Sequence, residues 1–424
     1  MQTRWSEGCG KTLVRICKDR LRCGPNAWQT TGVELHRLPV SAGDYIARHG
    51  QRAVSAEVRR WVAHPASVRH CGEPLGGLVP VAVTDRGPKL YSLKQCKNRF
   101  VDPYCSGWFR AELAERVGRV LAQHLDGGGS AILLVNTLSH SRADALGDVM
   151  GWHSKAWDRA KAGRRAGEWR GLRWFKAWDI VVGGWRGPHP HSNSIVLGPS
   201  GFFDSADWLG RHSAAWASSV FAAMYKSGRF GFPTKANRAR ALEAWEDTRV
   251  NMHEDGRGVN AVQIGADNVD LLARYACKSI AGAPVEVVDD RHRRPTTKLS
   301  GFTLLELACM AHDGQEAAGK LLAGSAVDLA GRRSWSASRS WVWVDEALED
   351  DAEAEAVVSD GFVIGLLASK RYRAQRQQVD AFLDQHSGLD MEQAVTEWRR
   401  VDEALDLGIT WFSEPVHVSD WADA

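Results

Sequence analysis

The clearest pattern of apolar and polar positions lies between residues 130 and 282. AILLVNTL (131–138) is an apolar run with glycines 127–129 on one side and polar residues on the other, which predicts a buried strand. Ser141 to Asp144 has the spacing of a capping box with Asp in place of Glu, and Leu146, Val149, His153, Trp157 and Ala160 then recur at helical spacing. AWDIVV (177–182) and residues 189–197 predict two strands joined as a hairpin by the Gly-rich GGWRGP. Residues 204–226 predict a helix with Trp208, His212, Trp216 or Ala215, Val220 and Met224 on one side; 259–264 predict a strand. Residues 267–280 predict a closing helix with Asp267 as N-cap. The order β-α-β-β-α-β-α is that of a split βαβ core, so the expected fold class is α+β, a central antiparallel sheet with flanking helices.

Outside this core the pattern is coarser. Residues 1–125 contain polar loops, a weak strand at 78–83 and a helix at 110–124. Residues 286–344 hold a helix at 303–311 and the basic, Trp-rich GRRSWSASRSWVW, and 345–360 form an acidic linker. Two amphipathic helices are expected at 371–386 and 391–405. Four regions follow: 1–125, the core at 126–285, 286–344, and 345–424.

Composition narrows the class. With 424 residues and 44% hydrophobic content the chain can fill a real core. No apolar run approaches the ~20 residues of a membrane span, and the longest, 362–368, is core-sized. The first residues carry charges where a signal peptide needs an apolar stretch, so a cytoplasmic protein without a membrane partner is expected. Eight cysteines without dense pairing point to reduced thiols. Cys9, Cys17 and Cys23 form one loose group and Cys71, Cys96 and Cys105 another; neither contains a CxxC, so spacing gives zinc little support. The net charge of +3 averages an uneven distribution: residues 152–176 carry eight Lys or Arg against two acids, with four tryptophans interleaved. Cations for phosphates and aromatics for unstacked bases make this a nucleic-acid-like stretch, with Arg164, Arg165, Trp169 and Arg170 as candidate contacts.

The candidate chemistry begins at GPHPHSNSIVLG (187–198). With 15 histidines in the chain, about half a His-x-His pair is expected by chance, so the spacing needs its context. On a strand, His189 and His191 point to one face, where two imidazoles can take adjacent positions on a divalent ion. Pro190 between them puts the pair at a sheet edge or mouth. Asp179, on the preceding strand, is the candidate third ligand, expected to lie across from His189. On the last helix Tyr275 and Lys278 share a face, and a cation near the phenol favours its nucleophilic phenolate.

These residues together resemble the HUH endonucleases, specifically the rolling-circle replication initiator (Rep) proteins of actinobacterial plasmids and integrative elements. LLVNTLSH (133–140) resembles the first motif, an FLTLT-type strand followed by a histidine; GPHPHSNSIVL resembles the GWHPHxHxLL-like second; YACK (275–278) resembles the Tyr-x-x-Lys third. CKNRFVDPYC (96–105) is similar to the family's CxxxWxCPxC segment, with Asp102 at its central cysteine. RRSWSASRS (332–340) is similar to GRRxxxWSRGLR, which adds Arg332 and Arg333 to the candidate DNA contacts. The family's metal-ligand Glu corresponds to Asp179, and the Glu one turn before the nucleophile corresponds to Leu271.

The resemblance implies a metal-dependent nickase. Tyr275 would attack one strand at a replication origin, single-stranded at the nick, and form a 5′-phosphotyrosine. Mg²⁺ or Mn²⁺ would be the cofactor, and a host helicase and DNA polymerase the partners. Two other readings use the same residues: a non-catalytic DNA-binding regulator of replication or transcription on a Rep-like scaffold, and a mononuclear metallohydrolase.

Overall fold

The computed structural model describes residues 35–36, 38–63, 66–84, 87–96, 98–141, 143–162, 168–184, 187–204, 206–231, 233–253, 258–277, 301–344, 361–386 and 388–418. The chain divides into two compact units, one holding residues 107–307 and 324–344, the other 37–106, 308–323 and the chain from 345 on. No helix among the described residues is long and apolar enough to cross a membrane.

The first unit is α+β. Its elements are α1 (Pro103–Asp126, from residue 107 on), β1 (Ser130–Asn136), α2 (Leu146–Lys161), β2 (Arg173–Gly184), β3 (Gly187–Gly198), α3 (Ala206–Lys226), α4 (Lys235–His253), β4 (Val259–Ile264), α5 (Val269–Cys277), β5 (Phe302–Thr303) and β6 (Trp335–Ala337). All pairs are antiparallel, in the order β4-β1-β3-β2-β5, with β6 also on the outer side of β2. The order 4-1-3-2 of the first four strands is that of a split βαβ unit, as the pattern predicts.

Alternation along the strands sorts side chains onto two helical layers. Ile132, Leu134 and Val196 pack with Val149, Trp157, Trp216 and Val220 of α2 and α3. Ala131, Leu133, Phe175, Ala177, Ile195 and Leu197 pack on the other face with Leu113, Val117 and Leu121 of α1 and Leu272, Ala273 and Ala276 of α5. The apolar positions expected on α2 (Leu146, Val149, His153, Trp157, Ala160) and α3 (Trp208, His212, Trp216, Val220, Met224) are all buried.

Three details differ from expectation. Ser141 and Asp144 do not cap α2. Asp144 Oδ2 accepts from the Ser141 amide (2.6 Å) and hydroxyl (3.0 Å), making a turn that Arg229 Nε braces at 2.7 Å from the Asp144 carboxylate, and the helix starts only at Leu146. Before α5 the capping position is Asn268, whose carbonyl accepts from Leu272 N at 3.0 Å and whose Oδ1 accepts from Gly265 N at 3.0 Å; Asp267 is exposed. Helix α4 is absent from the sequence pattern because its buried stripe, Ala241, Trp245 and Met252, is too sparse to read as a period.

The second unit has its own antiparallel sheet, in the order 410–417, 361–368, 78–84, 87–90. Val79, Val81, Val83, Ile364 and Leu367 pack beneath Tyr372, Phe382 and Leu383 of the helix at 369–385 and Trp398 of the helix at 391–405. Gly365 permits a close crossing, since a Cβ there would stand 2.8 Å from Ile409 Cγ2 and 2.9 Å from the Thr410 carbonyl oxygen.

Trp216 is fully buried, and its Nε1 donates to the Thr137 carbonyl at 2.6 Å. Trp216→Ala is expected to cost about 3–5 kcal/mol in denaturant unfolding, while Trp216→Phe, which keeps most of the volume and strands that carbonyl, costs about 1–3 kcal/mol. Equal losses for the two would show that packing contributes nothing beyond the hydrogen bond.

Candidate active site

Strand β3 is interior over most of its length but not at its start. β1 pairs with residues 192–198 and stops at the Asn136–Ser192 pair, whereas β2 continues alongside to the Val181–His189 pair. His189 and His191 therefore stand at the sheet's mouth, on a stretch with a strand neighbour on one side only, as Pro190 suggests. Alternation puts both on the face of Ile195 and Leu197, and puts Asp179 on the same face through Phe175 and Ala177.

Asp179 lies across from His191, not His189. The Asp179 carboxylate is 2.9 Å from His191 Nε2. His140, which closes the first motif and has no role assigned there, brings Nε2 to 2.8 Å from His189 Nδ1. The ring centroids of His189 and His191 are 5.7 Å apart. Both short separations suit neighbouring ligands on an octahedral ion with bonds of about 2.1 Å, whose adjacent donors are about 2.9 Å apart. The two pairs do not converge further: among the described residues, the ligand set gathered within 4.8 Å is a different one, Cys71, Cys96, Asp102 and Cys105. Two buried atoms on this face, His191 Nδ1 and Asn193 Oδ1, have no hydrogen-bond partner among the described residues. Asn193 occupies the position where the GWHPHxHxLL frame carries a further histidine.

Helix α5 packs on β2 and β3 over this same face. Leu272, Ala273, Ala276 and Cys277 are its buried side, and the half-buried Tyr275 packs at the edge of that cluster. Asn193 Nδ2 donates to the Tyr275 carbonyl at 3.5 Å, which ties the tyrosine's backbone to the strand two residues past His191. Leu271 is 37% exposed and Asp270 is also on the outer side. Lys278 lies outside the described residues.

From α1, Arg110 adds a cation that sequence reasoning overlooks. Burial lowers its pKa from the ordinary value, against the opposing charges of Asp179 and Cys277. On the opposite face His153 is fully buried with Nε2 3.1 Å from the Asn136 carbonyl, and burial holds it well below the usual histidine range.

The basic, Trp-rich stretch is corrected in part. Trp169 is not free to stack on a base: it is 9% exposed and meets Trp157 and Trp208 edge-on at 5.5 Å. Trp152 and Trp157 are core residues as well. Two of the cations also turn inward, with Lys161 Nζ 3.6 Å from the Trp174 ring centre and Lys176 Nζ 4.7 Å from that of Trp178. Arg170 and Arg333 are exposed; Arg332, exposed too, donates to the carbonyls of Asp328 and Gly147 at 2.8 and 2.9 Å. Arg164 and Arg165 lie outside the described residues.

The chain is 28% identical over 156 residues to "Protein rep" of Streptomyces lividans, a stretch that covers 30% of this chain and 34% of that protein. The match thus spans about a third of the relative's length. No family model matches the sequence, and no solved structure matches it. The similarity is that of a distant homologue of a Rep protein.

Burial lowers the Lys176 pKa from 10.5 to about 8. The unfolded chain then binds more protons than the folded one between those values, so stability falls as pH drops from 10.5 through 8. Lys176→Met is expected to stabilise the protein by on the order of 2 kcal/mol at pH 7 and to flatten that dependence. Urea unfolding at pH 7 and pH 10 measures both; an unchanged pH slope would show that the amine is not desolvated.

Proposed function

We propose that this chain is a replication initiator of the rolling-circle type, which nicks one DNA strand through Tyr275. The observation that carries the reading is the shared sheet face: His189, His191 and Asp179 at the mouth of β2 and β3, under the helix that bears Tyr275. The distant similarity to a Rep protein supports it from an independent direction.

The chemistry is a transesterification. Tyr275 Oη attacks the scissile phosphorus, the bond from phosphorus to the 3′ oxygen breaks, and the 5′ phosphate remains on the tyrosine. The phenol's proton is released and the departing 3′ oxygen gains one, leaving a 3′-OH that a polymerase extends. His189, His191 and Asp179 would hold Mg²⁺ or Mn²⁺, with His140 and the Asn193 amide oxygen beside them. Of these two ions, a set this rich in imidazole favours Mn²⁺ over the harder Mg²⁺. When bound, the ion supplies charge neutralisation at the phosphoryl oxygens. The protein's own part is positioning: β3 fixes the imidazoles, and Asn193 holds the backbone of α5 over them. Lys278, three residues beyond Tyr275 in sequence, would meet the phosphotyrosine. Origin DNA would be the partner, with a host helicase and DNA polymerase following the nick.

Tyr275→Phe should leave DNA affinity nearly unchanged and eliminate the covalent adduct with labelled single-stranded origin DNA, because Phe has no group that attacks phosphorus. Mass spectrometry of the wild-type adduct should put the nucleotide on the peptide containing RYACK. An adduct on another tyrosine sinks the assignment. Wild type forming none with either ion favours the non-catalytic regulator, and cleavage without an adduct favours the metallohydrolase.

His189→Ala with His191→Ala should abolish Mn²⁺-dependent nicking and leave duplex binding within a few-fold, since phosphate contacts come from Lys and Arg elsewhere. Undiminished nicking in the double variant removes the metal site. Replacing Arg164, Arg165 and Arg170 by Gln should flatten the salt dependence of binding by up to roughly 0.9 per lost phosphate contact. An unchanged slope shows that these arginines make no phosphate contacts.

A further inference from the structure

We infer that Cys71, Cys96, Asp102 and Cys105 form a structural zinc site in the unit that contains residues 37–106, separate from the nicking site. Their ligand atoms all lie within 4.8 Å of one another. Cys71 Sγ is 3.4 Å from Cys105 Sγ, and Cys96 Sγ is 3.4 Å from Asp102 Oδ2. Around a tetrahedral zinc the expected edges are about 3.8 Å between sulfurs and about 3.5 Å from sulfur to oxygen. The sulfurs are also well beyond the ~2.05 Å of a disulfide.

The ligands come from three segments that the backbone draws together. Gly72 N donates to the Lys94 carbonyl (2.6 Å) and Lys94 N to the Glu73 carbonyl (2.7 Å), locking the turn of Cys71 beside the approach to Cys96. Asn98 Oδ1 accepts from the amides of Phe100 and Val101, folding the chain back so that Asp102 and Cys105 face the same point. The Cys96 sulfur accepts the Asn98 amide at 3.4 Å, an outer-shell contact that steadies a thiolate.

Asp102 is the discriminating residue. It is fully buried, and its two oxygens have different tasks. Oδ1 accepts from the Ser55 hydroxyl (2.9 Å) and from the amides of Tyr104 (3.0 Å) and Cys105 (3.3 Å), capping the helix that begins at Pro103. Oδ2 is left to face the sulfurs. Capping alone needs one oxygen; a buried second oxygen among three sulfurs is costly without a cation. Three thiolates and a carboxylate suit zinc and exclude Mg²⁺, whose ligands are oxygens. The site closes all four positions with protein atoms, so its task is to hold the fold.

Metal content of the full-length chain, purified with reductant and without chelator, tests this. About one zinc per chain by mass spectrometry of the metal is expected, falling at least tenfold in Cys96→Ser with Cys105→Ser. That double variant could fail to fold, so Asp102→Cys provides the second arm: it completes a four-sulfur set and should keep one zinc. Replacing zinc by Co²⁺ should give the sulfur-to-cobalt charge-transfer absorption of a tetrahedral site, stronger in Asp102→Cys than in the wild type. The nicking variant Tyr275→Phe should retain its zinc in full, which separates this site's outcome from that of the proposed function. Zinc below a tenth of an equivalent in folded wild type overturns the inference, as does recovery of Cys71 and Cys105 as a disulfide under the same conditions.

Discussion

The pairing register of β2 with β3 is the constraint on which the first unit depends. β3 is hydrogen-bonded on both sides over 192–198, and its alternate residues serve two different layers, Ile195 and Leu197 toward α1 and α5, Val196 toward α2 and α3. A slip of one residue would exchange the layers wholesale, burying the imidazoles under α2 and opening the aliphatic residues to α5's margin. The same apolar alternation that makes the core thus aims His189, His191 and Asp179. The direction of these three side chains is set by packing further down the strands.

Much of this was legible from local patterning. β1, α2, α3 and the core of β3 announce themselves because long apolar runs or full helical stripes leave few alternatives; the histidines fall at the start of β3 and the tyrosine on α5. What was illegible has physical reasons. The partner of Asp179 depends on where the hairpin turns, and one pair's displacement separates His189 from His191. His140 sits in a loop, where no period marks it. Of the cluster of Cys71, Cys96, Asp102 and Cys105, three members fall within 96–105, but an Asp in place of a cysteine breaks the usual spacing and Cys71 joins only through the fold.

The tryptophan-rich stretch carries a different lesson. Cations interleaved with aromatic rings read the same whether the rings face solvent or the interior. For Trp157 the helical period had already assigned an inward direction, and the period was the stronger argument: ring and lysine both turn in, with Lys161 and Lys176 lying over indole faces. Positive charge on that side of the molecule is accordingly smaller than its composition implies, and exposed arginines such as Arg170 carry what remains.

The sheet of the second unit joins residues 78–84 to residues 361–368, with the whole of β1 through β6 encoded between them. At roughly 5–20 residues per second of synthesis, the first of these strands waits on the order of tens of seconds for its partner to leave the ribosome. Throughout that interval Val79, Val81 and Val83 have only the short neighbouring strand at 87–90 to pair with, whereas the strands β1 to β4 find their partners in one another. The sheet of the first unit can therefore close before that of the second, whose hairpin of 78–84 and 87–90 stays two-stranded until residues 361–368 arrive.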